Sequence, residues 1–501
     1  MGYDVIVVGG GSAGCVAAAR LSEDAGRRVL LVEAGPDYSR PEDLPADVAD
    51  GSVPTVDHDW TFTSEPDNWG RRVQLPRGRL VGGCSATNAA FLMRGWPADY
   101  DGWAARGNPG WSFAELLPVF RAVEADSDFD DEWHGTVGPI PVHRPPQCDL
   151  APLQSAFLAA AVALGHPIVE DHNRPGAEGV GPIPRNVLDG VRMSAALTHL
   201  APARSRRNLT LRADTMVDRI ELSGTGVRGI RLADGEIVDA DRVVVAAGAY
   251  GSPTILMRSG IGPAGSLREA GIRAVVDLPG VGENLTDHPL VAVDIPASPG
   301  WTGPRFQVLV TARSSHAAAG TPPDLHLFVA GPFDDPASPT GAVFGIVTGL
   351  LPPRARGSVR LRSAKPGDPP SIDAALLRHD GDVARMVEAT LEARRLSRTP
   401  PLADFVRGPE LAPGPAIDDE DVAGLARSIT SRVETYNHPT GTCAMEPDPQ
   451  SGAVVDAHGA VHAVQRLWVA DASIMPTIPS AGTNLTTIII AARIADQLAT
   501  A

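Results

Sequence analysis

The chain has 501 residues, 60 acidic against 43 basic side chains, and a formal net charge of −17 at pH 7. That length exceeds one ordinary hydrophobic core and predicts two domains. Lys365 is the only lysine, so no basic stripe is present for a phosphate backbone and no nucleic-acid partner is expected. The first predicted element is a strand at Asp4 to Val8, running into the glycine-rich turn GGGSAG that ends at Gly14. Gly9, Gly11 and Gly14 allow a tight turn, close approach of backbone to a pyrophosphate, and close helix packing. The helix that follows offers unpaired N–H groups and a positive dipole end to the phosphates. A second strand, Arg28 to Glu33, places Glu33 about twenty residues past the turn, where a carboxylate accepts from ribose hydroxyls and repels a 2′-phosphate.

A helix is predicted at Leu153 to Leu164, started by Pro152. The runs Arg242 to Ala249 and Leu467 to Ala470 read as further strands of the nucleotide sheet, covered on both faces. From Pro296 to about Pro353, short apolar runs alternate with Gly/Pro turns, and Gly357 to Ser363 alternates apolar with charged residues; both predict antiparallel sheet. Helices are predicted at Asp382 to Arg395 and Asp418 to Thr435, each capped by its opening acid. The last helix, after Asn484, sets Leu485, Ile488, Ile489, Ala492, Ala495 and Leu498 on one stripe. No repeat or flexible linker is found, so the two domains must be interleaved.

Cys15, Cys84, Cys148 and Cys443 form no Cys-x-x-Cys pair and no metal-ligand spacing, so free thiols and no metal site are expected. Cys15, on the first helix, reads as a small packing residue. No apolar stretch nears the roughly 18–20 residues that cross a bilayer. A strand beginning at residue 4 leaves no room for a signal peptide, and a cytoplasmic location is expected. Peripheral membrane attachment stays open.

A lone glycine fingerprint is shared by NAD enzymes, flavoproteins and some methyltransferases. Further motifs narrow it: GRLVGGCSATNAAFLMRG from Gly78, GAYGSPTILMRSGIGP from Gly248, GVGENLTDHP from Gly280, NHPTGTCAM from Asn437, and VADASIMPTIPSAGTNLTT from Val469. In this order and spacing the chain resembles the glucose–methanol–choline (GMC) oxidoreductases from residue 3 to about residue 498. The resemblance implies an α/β FAD-binding Rossmann-like domain (1–150, 205–295 and 452–501) interleaved with an α+β substrate domain built on an antiparallel sheet (151–204 and 296–451). It implies that Gly9, Gly11, Ser12, Ala13, Gly14, Glu33 and Ala34 hold the ADP half of FAD. Arg79, Gly83, Asn88 and Ala89 would line the flavin, Val217 would meet adenine, and Asp471 with Ala472 would sit near the pyrophosphate and ribityl chain.

The resemblance also assigns catalysis to His438, in His-Pro-Thr-Gly-Thr, as acceptor of an alcohol proton, and to Asn484 as donor to the alcohol oxygen. Imidazole suits this because its usual pKa of about 6.5 leaves it neutral and basic near pH 7. An Asn before an apolar helix is ordinarily an N-cap, and Asn484 is expected to do both. Its helix would aim its positive end at the reduced flavin. His134 and His288 read as structural or supporting.

Thr87 stands where some relatives carry the histidine that binds FAD covalently, so FAD is expected to be noncovalent. Leu290 stands where choline oxidases carry Glu, which removes a counter-charge for quaternary ammonium. The ending PTIPSAGTNLTT is closer to 5-hydroxymethylfurfural and aryl-alcohol oxidases. The expected activity is oxidation of a primary, aromatic or furanic alcohol to the aldehyde, with oxygen or another acceptor. The alternatives are a dehydrogenase using a quinone, protein or peptide-derived acceptor, and a non-redox lyase of the hydroxynitrile type.

Overall fold

The structure is a computed structural model that describes residues 2–500 apart from 302 and 319. The chain enters with β1 (Tyr3–Val8), α1 (Ser12–Leu21) and β2 (Val29–Val32). It leaves for α2 (Pro152–Ala163) and β3 (Gly179–Pro182). It returns with β4 (Leu209–Arg212), β5 (Val217–Ser223), β6 (Gly226–Leu232), β7 (Ile237–Val245) and α3 (Gly248–Arg258). A second excursion supplies β8 (Pro289–Pro296), β9 (Val308–Ala312), β10 (Leu325–Asp334), β11 (Ala342–Leu350), α4 (Asp380–Ser397), α5 (Val422–Arg432) and β12 (Glu434–Thr435). The last return brings β13 (Leu467–Val469) and α6 (Thr483–Thr500).

The returns build one sheet and the excursions the other. In the first, β4–β2–β1–β7–β13 run parallel, and the β5–β6 hairpin extends the early half of β7 in antiparallel fashion. Val5–Val8, Val29–Val32 and Val243–Val245 are all buried, as uninterrupted apolar strands covered on both faces should be. Helices α1 and α6 pack together within this core.

The second sheet has the order β12–β8–β11–β10–β9–β3, with every pairing antiparallel. Its pleat separates two surfaces along β10. Leu325, Leu327 and Val329 pack with residues of α2, α4 and α5, whereas Phe328 and Ala330 join a separate apolar cluster with Met93 and Phe306. Together with His326, they line a cavity.

Several expectations are corrected in detail. Helix α4 is capped by His379, whose Nδ1 accepts from Gly381 N at 3.0 Å. Asp382 is instead buried inside its first turn, where it accepts from the Arg354 and Ala355 N–H groups and pairs with Arg385. Helix α5 opens at Val422 rather than at Asp418 and is capped by Asp421 through Gly424 N, because Asp418 is spent on the Glu420 and Asp421 N–H groups of the preceding turn. The alternating stretch near Gly357 forms a small ladder of its own, Ser358–Arg360 with Ser371–Asp373, because Val359 and Ile372 pack onto Tyr250 and Leu285. Strand β8 already belongs to the second sheet ahead of the boundary expected after residue 295, since Val291, Val293 and Ile295 all enter its core. Among the described residues, no helix is long and apolar enough to cross a membrane.

Glu124, Asp126 and His134 converge into a buried group with the composition of a metal site. Two arginines already occupy it: Arg94 pairs with Glu124, and Arg144 bridges Asp126 and Asp171. His134 lies between carboxylates, with Nε2 3.0 Å from Asp171 and Nδ1 3.1 Å from Asp126. Two guanidiniums and one imidazolium therefore balance three carboxylates. Burial alone would lower the His134 pKa, yet hydrogen bonds to Asp126, Asp171 and Glu124 outweigh it and raise it to about 10. Asn173, beside this network, accepts from Arg94 N and donates to the Leu92 carbonyl. The network thereby pins the segment that carries Met93 to the cavity wall.

Candidate active site

One cavity of about 800 Å³ runs from the carboxyl ends of the parallel strands to the face of the antiparallel sheet. That size lies toward the upper end of the roughly 300–1,000 Å³ of small-molecule and cofactor sites. At the parallel end, Gly9, Gly11, Ser12 and Ala13 line it, and no side chain caps α1. A Cβ on Gly14 would fall 1.7 Å from the Gly9 carbonyl oxygen, so only glycine lets α1 meet the turn. Gly83, at φ +50°, brings a second loop so close that its Cβ would lie 2.6 Å from Gly11 Cα. Glu33 is 6% exposed and accepts from Gly10 N at 2.7 Å and Gly35 N at 2.8 Å. Burial raises its pKa against those two hydrogen bonds, and two N–H partners leave lone pairs for further donors.

At the other end, β8 and β12 pair antiparallel in the register Pro289↔Thr435. His288 precedes one strand and His438 follows the other, so the ladder brings them together. Asn437 takes φ +65°, a left-handed conformation that Asn tolerates, just before His438. His438 N donates to Asp287 Oδ1 at 2.8 Å, its ring stacks on Tyr436 at 4.6 Å, and its Nδ1 lies 3.0 Å from His288 Nδ1. Its Nε2 faces Gly482, where even a Cβ would stay 3.6 Å away. Desolvation, with the Arg77 charge, lowers the His438 pKa to about 3, so the imidazole is neutral at pH 7.

Asn484 sits within the first turn of α6 rather than capping it. Its Oδ1 accepts from Ser12 Oγ at 2.9 Å, across 472 residues, which fixes the orientation of the amide. The Nδ2 donor is buried with no partner among the described residues. Such an orphan is costly unless a ligand completes it.

Among the other sequence-predicted residues, Ala34, Asn88, Ala89, Val217, Asp471 and Ala472 line the cavity. The Asp471 carboxylate is nevertheless spent on Gly248 N, Ser252 Oγ and Ser473 N, tying the loop to the start of α3. Arg79 falls outside: Gly35 packs against its carbonyl, and its exposed guanidinium lies over Trp60 at 5.0 Å. Gly14 is likewise behind the surface. Phe91, Phe306, His326, Phe328, Phe333 and Tyr436 form the far wall; none was assigned from the motifs, although Phe91 lies within the stretch from Gly78. The alternation along β10 could have suggested two of them, His326 and Phe328, but LHLFVA reads as one apolar run. Cys15 is fully buried and donates to the Gly10 carbonyl, and burial lifts its thiol to about 12, as a packing residue requires.

Family models of the GMC oxidoreductases match residues 3–290 and 353–491. The chain is 36% identical to 5-(hydroxymethyl)furfural oxidase of Methylovorus sp. (strain MP688), covering 99% of both sequences. It is also 36% identical to pyridoxine 4-oxidase of Microbacterium luteolum over 95% of both. The crystal structure of pyridoxine 4-oxidase from Mesorbium loti superposes with a TM-score of 0.91 at 35% identity, covering 99% of each chain. With the two-sheet architecture and the cavity between them, these matches place the chain in the GMC oxidoreductase family, whose members bind FAD.

Proposed function

We propose that this enzyme oxidises a primary aromatic or furanic alcohol to its aldehyde on noncovalently held FAD. The observation that carries the reading is the convergence of His438 and Asn484 on one cavity walled by aromatic side chains. The residues present fit the cofactor: an uncapped helix start for the pyrophosphate, Glu33 for the ribose, Val217 near the adenine end, and glycine contacts that leave the backbone accessible. When bound, FAD supplies a two-electron acceptor for the carbinol hydride. The protein's part is proton management and orientation. His438 takes the hydroxyl proton at Nε2, and Asn484 Nδ2 donates to the same oxygen. Ser12 prevents the Asn484 amide from turning its oxygen toward the substrate.

Phe91, Phe306, Phe328 and Phe333 favour a flat apolar substrate, and His326 adds one polar wall group whose Nδ1 has no partner among the described residues. Leu290 lines the cavity without a carboxylate, which disfavours a quaternary ammonium substrate. The free thiols of Cys15, Cys84, Cys148 and Cys443 suit a reducing, cytoplasmic setting.

The test is anaerobic addition of benzyl alcohol, 5-hydroxymethylfurfural and pyridine methanols to the holoenzyme. Bleaching of the visible flavin band is the expected result, and rapid recoloration in air marks an oxidase. A band that stays yellow while a cyanohydrin is cleaved would replace the reading with a lyase. Thr87 lies on the cavity wall, so acid precipitation is expected to leave all yellow colour in the supernatant. A coloured pellet would show a covalent bond. Asn484→Ala is expected to slow flavin reduction by about 10²–10³ while FAD content holds.

A further inference from the structure

His438 has a partner that is neither a carboxylate nor a backbone carbonyl. Its Nδ1 lies 3.0 Å from Nδ1 of His288, and the two rings stand nearly perpendicular, at 87°. His288 is fully buried, and its main chain is held by Tyr436 N donating to its carbonyl at 2.9 Å. Two ring nitrogens at this distance share a single hydrogen. If His288 donates it, His438 carries its own hydrogen on Nε2 and has no lone pair to offer the cavity. If His438 donates it, Nε2 presents a lone pair toward Gly482.

Burial holds the His288 pKa well below the usual range, so His288 is neutral and carries one hydrogen, and the Pro479 carbonyl beside the ring is an acceptor for it. With Nδ1 turned to His438, that carbonyl draws the hydrogen to Nε2 and leaves Nδ1 to accept, which is the second arrangement. We propose that His288 is a positioning residue that accepts the His438 Nδ1–H, fixes the tautomer with a free Nε2, and shares the positive charge once Nε2 has taken a proton. The inference rests on the alcohol-oxidation reading for its consequence, and the tautomer itself can be read without turnover. The step balances simply: the alcohol O–H bond breaks, an N–H bond forms at His438 Nε2, and the Nδ1–H stays within the imidazole pair.

Two substitutions separate this role from packing. Asn at 288 places an acceptor oxygen at the same bond count from Cβ as Nδ1, and Leu fills similar space with no acceptor. In holoenzyme labelled with ¹⁵N-histidine, the expected shifts for His438 are those of a neutral Nδ1–H ring in the wild type and His288→Asn, with the Nε2–H form growing in His288→Leu. An Nε2–H ring in the wild type overturns the proposal. With benzyl alcohol under nitrogen, His288→Leu is expected to lower the limiting rate of flavin reduction by about 10–100-fold, with His288→Asn recovering most of it. The alcohol concentration giving half the limiting rate should move far less. Equal loss in both variants, or wild-type reduction in His288→Leu, also overturns it. A wild type that no alcohol reduces would defeat the functional reading instead, leaving the ¹⁵N shifts to decide the pair.

Discussion

Replacing His438 with alanine is expected to slow reduction of the flavin by alcohol about 10²–10⁴-fold, the usual worth of a positioned general base. FAD content and the oxidised spectrum should persist, because the imidazole touches Tyr436 and His288 rather than the glycine turn. Stopped-flow reduction under nitrogen reads this directly, and an unchanged rate would remove His438 from the chemistry. The acid side of the same profile has a defined sign. The His438 pKa falls from 6.5 to about 3 in the folded protein, so the base stays free at pH values where an exposed histidine would already be protonated. The folded state also loses stability as pH drops from about 6.5 toward 3, because the unfolded chain takes up that proton first.

The second large effect is on stability, away from the flavin. His134→Leu removes the imidazolium and leaves three buried carboxylates facing two guanidiniums. Breaking such a pair costs about 3–5 kcal/mol, enough to consume much of a typical domain's margin. Thermal and urea unfolding of the holoenzyme measure it, and a loss below about 1 kcal/mol would show that the network relaxes freely. The pH dependence runs opposite to that of His438. With its pKa raised from 6.5 to about 10, His134 gives its full contribution below pH 6.5 and loses it as pH rises through 10. The gap between wild type and His134→Leu should narrow over that window.

The nucleotide half was legible because its signals are local. β1, the turn and β2 occupy one short stretch, and glycine spacing encodes the tight turn and the close approach of α1 directly. That His438 and Asn484 meet at one cavity was legible through motifs rather than through pattern. The far wall was not: His326, Phe328 and Ala330 alternate with Leu325, Leu327 and Val329, and when both faces of a strand are apolar no periodicity tells helix-facing from cavity-facing residues. Arg79 shows the reverse error, since a motif fixes the path of the backbone while Gly35 packing against the Arg79 carbonyl decides where the side chain goes. The charge network around His134 was invisible because Arg94, Glu124, Asp126, Arg144 and Asp171 are scattered in sequence and converge only in the fold.

The hydroxyl of Ser12 meets the amide of Asn484 across 472 residues, and β1 finds its neighbour β7 only after residue 237. During synthesis the glycine turn therefore emerges long before the strands and helix that complete its pocket. The nascent amino-terminal segment exposes an apolar sheet edge until β7 has emerged, a state open to aggregation and to chaperones. Flavin capture is thus a late event in this protein's biogenesis, and riboflavin supply during expression should govern how much chain survives as well as how much is active.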